Sequence, residues 1–137
     1  GKFFEDRIVS RGACFADYDN DGYVDAFIVT LGGEGILLHN TPPAGQRNHW
    51  LTVRLVGTKS NRDGYGASVE AIAGNTHQVV QAVSEAGYLS QSDPRPHFGL
   101  GQHAEVDKLI IRWPSGIVQE LENVPSNQVL VVREPEK

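Results

Sequence analysis

The apolar residues of this chain come in short runs rich in β-branched side chains, and no segment sustains a helical stripe. Thr52-Val53-Arg54-Leu55 and Val129-Leu130-Val131-Val132 are the clearest examples. Strands are expected at Ala13–Ala16, Val24–Thr30, Ile36–His39, Trp50–Val56, Ala67–Ala73, His77–Glu85, Lys108–Trp113, Ile117–Leu121 and Gln128–Arg133. Between them lie Asn61-Arg62-Asp63-Gly64, Gly74-Asn75, Asp93-Pro94 and Pro114-Ser115-Gly116, which carry turn chemistry. Short strands separated by such turns predict an all-β chain, folded as a sandwich or a barrel-like domain. Thr41-Pro42-Pro43-Ala44-Gly45 breaks the series. It divides the chain into a unit at 1–40, a linker at 41–47 and a domain at 48–137. About 40 residues are too few to fold without a partner, a metal or neighbouring repeats.

One loop stands apart chemically. Asp17-Tyr18-Asp19-Asn20-Asp21-Gly22-Tyr23-Val24-Asp25 puts carboxylates at its positions 1, 3, 5 and 9 and glycine at position 6. Alternate residues of a tight turn can converge, so Asp17, Asp19 and Asp21 would point at one centre. Gly22 permits the bend, the Tyr23 main-chain carbonyl adds an oxygen, and Asp25 closes the set. Hard oxygen ligands in this number suit Ca2+. A solvated acidic turn is the alternative reading of the same residues. An EF-hand would require an acid at position 12 and flanking helices. Position 12 is Ile28, within a strand-like run, so a strand–calcium loop–strand hairpin is expected.

Charge sharpens this picture. The 12 Lys+Arg against 17 Asp+Glu give a net −5; without the four loop aspartates the balance is 12 against 13, or −1. The acidity is therefore concentrated in the loop, and nothing argues for nucleic acid or an anionic membrane as partner. No apolar run approaches the length of a membrane span. The polar start Gly1-Lys2-Phe3-Phe4-Glu5-Asp6 is no signal peptide, so any export signal is expected upstream. Cys14 is the single cysteine and cannot form an internal disulfide; between Ala13 and Phe15 it reads as a small core residue.

Residues 12–40 resemble one FG-GAP/VCBS repeat, the calcium-loop unit of integrin-type β-propellers. The likeness rests on Phe15-Ala16-Asp17 through Asp25 and on Leu37-Leu38-His39-Asn40. Residues 48–134 resemble the ASPIC/UnbV domain. The matching pieces are Asn48-His49-Trp50-Leu51, Ser60-Asn61-Arg62, Gly66-Ala67, Gly87-Tyr88-Leu89-Ser90-Gln91-Ser92, His97-Phe98-Gly99-Leu100-Gly101 and Trp113-Pro114-Ser115-Gly116. One departure is Asp63-Gly64-Tyr65, where a smaller apolar pair would be expected before Gly66. The resemblance implies an extracellular or periplasmic, calcium-dependent recognition or adhesion module that binds a protein or glycan. It implies further that upstream propeller repeats of the same protein adjoin the first unit, with residues 1–11 the tail of the preceding repeat.

The remaining chemistry is sparse. The five histidines lack close zinc-ligand spacing, and no nucleophile elbow is present. No catalytic residue is assigned. Ser90, Gln91, Ser92 and His97 are expected to satisfy backbone groups, and Gly87, Gly99 and Gly101 to form turns or bulges. Two other functions compete with plain recognition. One is a calcium-dependent enzyme with a cleft near Ser90–Ser92 and His97. The other is a carbohydrate-binding module using the rings of Tyr65 and Tyr88, with Trp50 and Trp113 as core anchors.

Overall fold

The computed structural model describes residues 7–85 and 87–136. Its strands are β1 (Ser10–Ala16), β2 (Asp25–Thr30), β3 (Ile36–Leu38), β4 (His49–Val56), β5 (Ser68–Ala73), β6 (Thr76–Gln81), β7 (His97–Gly101), β8 (Glu105–Arg112), β9 (Val118–Pro125) and β10 (Gln128–Arg133). Three sheets result, in the orders β1-β2-β3, β10-β4-β7 and β6-β5-β8-β9. Every pairing is antiparallel except β10 with β4, whose parallel register runs from Gln128↔Leu51 to Arg133↔Val56.

The second and third sheets pack face to face as a β-sandwich, with no closed barrel. Alternation explains why. Along β4, Leu51, Val53 and Leu55 are buried while Arg54 is exposed, and along β5 Val69, Ala71 and Ala73 are buried. These join Phe98, Leu100, Val106, Leu109, Ile111, Trp113, Val124 and Val132 in one apolar core. Burying such side chains contributes about 1.5–3 kcal/mol each for the larger ones. At the start of β4 its pairing with β7 slips, so that His49 faces Gly101 and Trp50 faces Gly99. Gly101 has φ +58, and the expected bulge is found here.

The first sheet has no such core. Among described residues of 7–40, only Asp17 and Asp25 are buried. Both faces are nevertheless apolar. Cys14, Phe27 and Leu37 stand in register on one face, and Ala13, Ile28 and Ile36 on the other. Phe27, Val29 and Leu37 remain 41–53% exposed. Cys14 is half-buried opposite Phe27, not a core residue.

This sheet is held to the sandwich at two places. The Phe15 amide donates to Ser92 Oγ (3.1 Å) and the Asp93 amide to the Phe15 carbonyl (2.9 Å), so the outer edge of β1 is met by the 92–93 segment. The aspartate loop lies against Trp50. That tryptophan is half-buried and absent from the core, contrary to expectation; only Trp113 is a core anchor. By alternation Trp50 points away from the Leu51 side of β4, onto the outer face that the loop covers. Two other expectations shift. The strand expected at His77–Glu85 ends at Gln81, and β7 forms where the glycines suggested turns or bulges and no strand was expected.

Candidate functional site

The aspartate loop connects β1 to β2, which begin pairing at Ala16↔Asp25. Its aspartates first organise their own backbone, as short acidic side chains in turns do. Asp17 accepts the Asp21 and Gly22 amides on its two oxygens (both 2.9 Å), and Asp21 Oδ1 accepts the Tyr23 amide (2.9 Å). Asp25 accepts the Tyr18 amide (3.3 Å) and the Asn40 amide (2.8 Å), tying the loop to the residues that follow β3. Asn20 and Gly22 take positive φ, +57 and +94, which lets the chain turn back on itself.

One oxygen from each of Asp17, Asp19 and Asp25 lies within 4.8 Å of the others. Oxygens so spaced can share an ion bound at about 2.3–2.6 Å. Asp17 and Asp25 are 4% and 2% exposed, and among the described residues neither is ion-paired. Buried carboxylates without a cation are costly, so this donor set fits a hard divalent ion. Asp21 is turned differently. Its Oδ2 is 4.0 Å from His39 Nε2, which also lies 3.3 Å from Asp19 Oδ2. The sequence-predicted residues therefore divide: Asp17, Asp19 and Asp25 form one group, and Asp19, Asp21 and His39 a second that shares Asp19. Tyr23 belongs to the same loop, and its phenol oxygen accepts the Asn48 amide (3.1 Å). His39 was missed as a member. Its signal was the Leu37-Leu38-His39-Asn40 ending of the hairpin, which returns the chain to the loop.

The sandwich side of the contact is built from Trp50, Arg95 and His97. The rings of Trp50 and His97 stack with centroids 6.0 Å apart and planes 16° from parallel. His97 Nδ1 bonds Thr52 Oγ1 (2.8 Å). Burial lowers the His97 pKa from its ordinary value, while Asp17 and a hydrogen bond with the Gly22 backbone oppose that shift. Arg95 donates from Nε to both Asp93 oxygens (2.8 and 3.0 Å) and from Nη1 to Asn20 Oδ1 (3.2 Å). The Asp93 hydrogen bonds raise its pKa, against a smaller opposing effect of burial. Asn20 is exposed and also touches Arg95.

A calcium-dependent enzyme would need its catalytic groups linked for proton transfer. Ser92, Asp93 and His97 do line one hollow of about 220 Å³. Ser92 Oγ accepts the Phe15 amide, Ser90 Oγ donates to the Tyr88 carbonyl, Asp93 holds Arg95 and His97 Nδ1 is on Thr52. Among the described residues no serine–histidine–acid hydrogen-bond relay links them, as nucleophilic catalysis would need. Tyr88 is 69% exposed on its loop, whereas Tyr65 is half-buried in the wall of a different hollow.

Residues 57–137, more than half of the chain, match the ASPIC and UnbV family. The chain belongs to that family. The ASPIC and UnbV region begins after β4, so the aspartate loop lies outside it. The chain is also similar to cartilage acidic protein 1 of Xenopus tropicalis, with 30% identity over 109 residues. That similarity covers 77% of this chain and 16% of the relative, so the chain spans a small part of that protein's length. Among the described residues no helix is long and apolar enough to cross a membrane.

Proposed function

We propose that this ASPIC and UnbV chain is a calcium-stabilised, non-catalytic recognition module that works outside the cytosol. The observation that carries the calcium part is the pair of buried carboxylates Asp17 and Asp25 beside Asp19, neither with an ion-pair partner among the described residues. Asp17, Asp19 and Asp25 would supply side-chain oxygens, the Tyr23 carbonyl a main-chain one, and Asp21 with His39 the outer wall. A bound ion would offset the repulsion of the carboxylates and stiffen the loop that lies on Trp50. The site is thus a clip between two units, with recognition assigned to the sandwich. The reading of the first sheet as an FG-GAP/VCBS-like repeat is supported by its apolar faces and by the much greater length of the relative. Further repeats of the same protein would cover those faces, as adjacent units do in repeat architectures. The relative's name, a cartilage acidic protein, supports an extracellular setting.

Calcium titration tests this directly. Melting followed by tryptophan fluorescence should shift upward by RT ln(1 + [Ca]/Kd), or about 2.7 kcal/mol at a hundredfold excess over Kd. Asp17→Ala and Asp25→Ala should each abolish the shift. A wild-type protein whose melting ignores calcium, and whose Asp25→Ala variant binds calcium equally, would overturn the assignment.

A further inference from the structure

A hollow of about 320 Å³ opens at the rim of the sandwich, with none of the loop aspartates in its walls, although its wall residue Arg95 also reaches Asn20 of the aspartate loop. Arg54, Arg62, Tyr65, Pro94, Arg95 and Pro96 form its walls with Asp63. We propose that it binds a uronate residue, a carboxylate-bearing sugar, of an acidic glycan. This deepens the recognition reading above by naming a ligand class, and it stands on a different set of residues from the calcium loop.

A chain of net −5 with only 12 Lys+Arg places three arginines and one aspartate around this hollow. The three differ in their commitments. Arg95 is held by Asp93 and Asn20 and serves as fixed wall. Arg62 is 87% exposed and, among the described residues, pairs only with its neighbour Asp63, an exposed contact of little net value. Arg54 is exposed on the outer face of β4 and makes no ion pair or side-chain hydrogen bond among the described residues. Arg54 therefore offers a free guanidinium fork to a carboxylate, which it matches in geometry, while Arg62, its fork on Asp63, adds charge beside it.

The walls also carry rigid apolar surface. Asn61 fixes Tyr65 by accepting its amide and donating to its carbonyl (both 2.8 Å). Buried Gly64, at φ +68, packs that turn onto Leu55, where a Cβ would come within 2.6 Å of the leucine Cβ. Opposite, the Pro96 carbonyl accepts the Val53 amide (2.8 Å), and Pro94 and Pro96 have fixed φ. A half-buried phenol ring and two prolines offer flat apolar surface to the carbon face of a sugar ring. The volume falls in the range of about 300–1,000 Å³ usual for small-ligand sites.

The lining also discriminates among anions. Asp63 in the wall repels the double charge of a phosphate dianion more than the single charge of a uronate, and its carboxylate can accept hydrogen bonds from neighbouring sugar hydroxyls. An extended acidic peptide lacks a free strand edge here, because β4 is paired on both sides by β10 and β7. One carboxylate, several hydroxyls and an apolar ring face are what the hollow can satisfy together.

The test uses a disaccharide containing glucuronic acid and the same disaccharide with its carboxylate reduced to an alcohol. Binding is read by calorimetry and by amide shift mapping, with and without calcium. The uronate should bind with shifts centred on Arg54, Tyr65 and Arg95, and the reduced sugar at least about tenfold more weakly, as loss of a charge-assisted hydrogen bond implies. Arg54→Ala and Tyr65→Ala should each weaken uronate binding by a similar factor, while Arg112→Ala, on the other sheet, should not. Equal binding of the two sugars, unaltered binding by Arg54→Ala, or no cleft shifts at millimolar uronate in folded protein would each overturn the proposal. Uronate binding that persists where calcium has no effect on melting would separate failure of the calcium reading from failure of this one.

Discussion

Replacing Glu134 with alanine is expected to destabilise the sandwich by about 3–5 kcal/mol, lowering its melting temperature by more than about 10 °C. Glu134 follows β10, and its amide continues the parallel ladder to the Val56 carbonyl (2.9 Å). Its side chain is buried. Oε2 accepts three successive amides, Thr58, Lys59 and Ser60, at 2.8, 2.9 and 2.7 Å. Oε1 accepts the hydroxyls of Ser60 (2.9 Å) and Ser115. One carboxylate thus joins the end of the chain, the connection after β4 and the Pro114-Ser115-Gly116 turn. Truncation would leave five donors without their acceptor, each a cost of about 1–3 kcal/mol before water relieves part of it. Acid should act through the same group. Burial alone would raise its pKa, but the Ser115, Ser60 and Thr58 hydrogen bonds win and bring it from 4.5 to about 2. The folded pKa is depressed, so this contribution is complete above the unfolded value of 4.5 and is lost as pH falls towards 2. Glu134→Gln should melt lower at pH 7 and show a flatter stability profile between those values, measured by circular dichroism. A Glu134→Gln profile parallel to wild type would show that other carboxylates govern acid unfolding.

That carboxylate was not legible in the sequence. Glu134 stands in a polar tail, Arg133-Glu134-Pro135-Glu136, and its five donors come from residues 58–60 and 115. What the sequence did carry is local. The β-branched runs of β4 and β10 predicted strands because they must bury one face, and Pro114-Ser115-Gly116 predicted the turn before β9. Glycine erased the same signal in His97-Phe98-Gly99-Leu100-Gly101. There Phe98 and Leu100 alternate into the core, but two of the intervening positions carry no side chain to mark a strand. The parallel pairing of β10 with β4 is a property of the whole topology and leaves no trace in either strand alone. The candidate site divides the same way. Spacing singled out Asp17, Asp19, Asp21 and Asp25. It could not say that Asp21 turns towards His39, since that depends on how β3 returns beside the loop. Nor could it separate the two tryptophans: Trp50 and Trp113 both sit in strand-like surroundings, and only tertiary packing puts one inside the sandwich and the other beneath the loop.

Gly22→Ala should unseat that loop from the sandwich while leaving the sandwich core intact. Gly22 lies flat against the indole of Trp50: a Cβ there would stand 2.0 Å from Cδ1 and 2.1 Å from Nε1. Carbon atoms do not approach so closely, and the ring cannot simply rotate away because His97 stacks along it. The backbone adds a second penalty, since φ +94 is strained for any residue with a side chain. Together these should exceed about 3 kcal/mol, more than the loop's few hydrogen bonds to the sandwich return. The loop would then swing off Trp50, breaking the Asn20–Arg95 and Tyr23–Asn48 contacts, and calcium affinity should fall by about a hundredfold or more. Because no residue of β1–β3 belongs to the sandwich core, far-ultraviolet dichroism and the main melting transition in calcium-free buffer should change little, while the rise in melting that calcium gives the wild type should be lost. Trp50 fluorescence should shift red as the ring meets water. A double-mutant cycle with Trp50→Ala divides the two penalties: the collision disappears in the Trp50→Ala background and the φ strain persists, so Gly22→Ala should cost less there. Equal costs in both backgrounds would mean that the loop does not rest on Trp50 in solution, and the clip between the two units would have to be sought elsewhere.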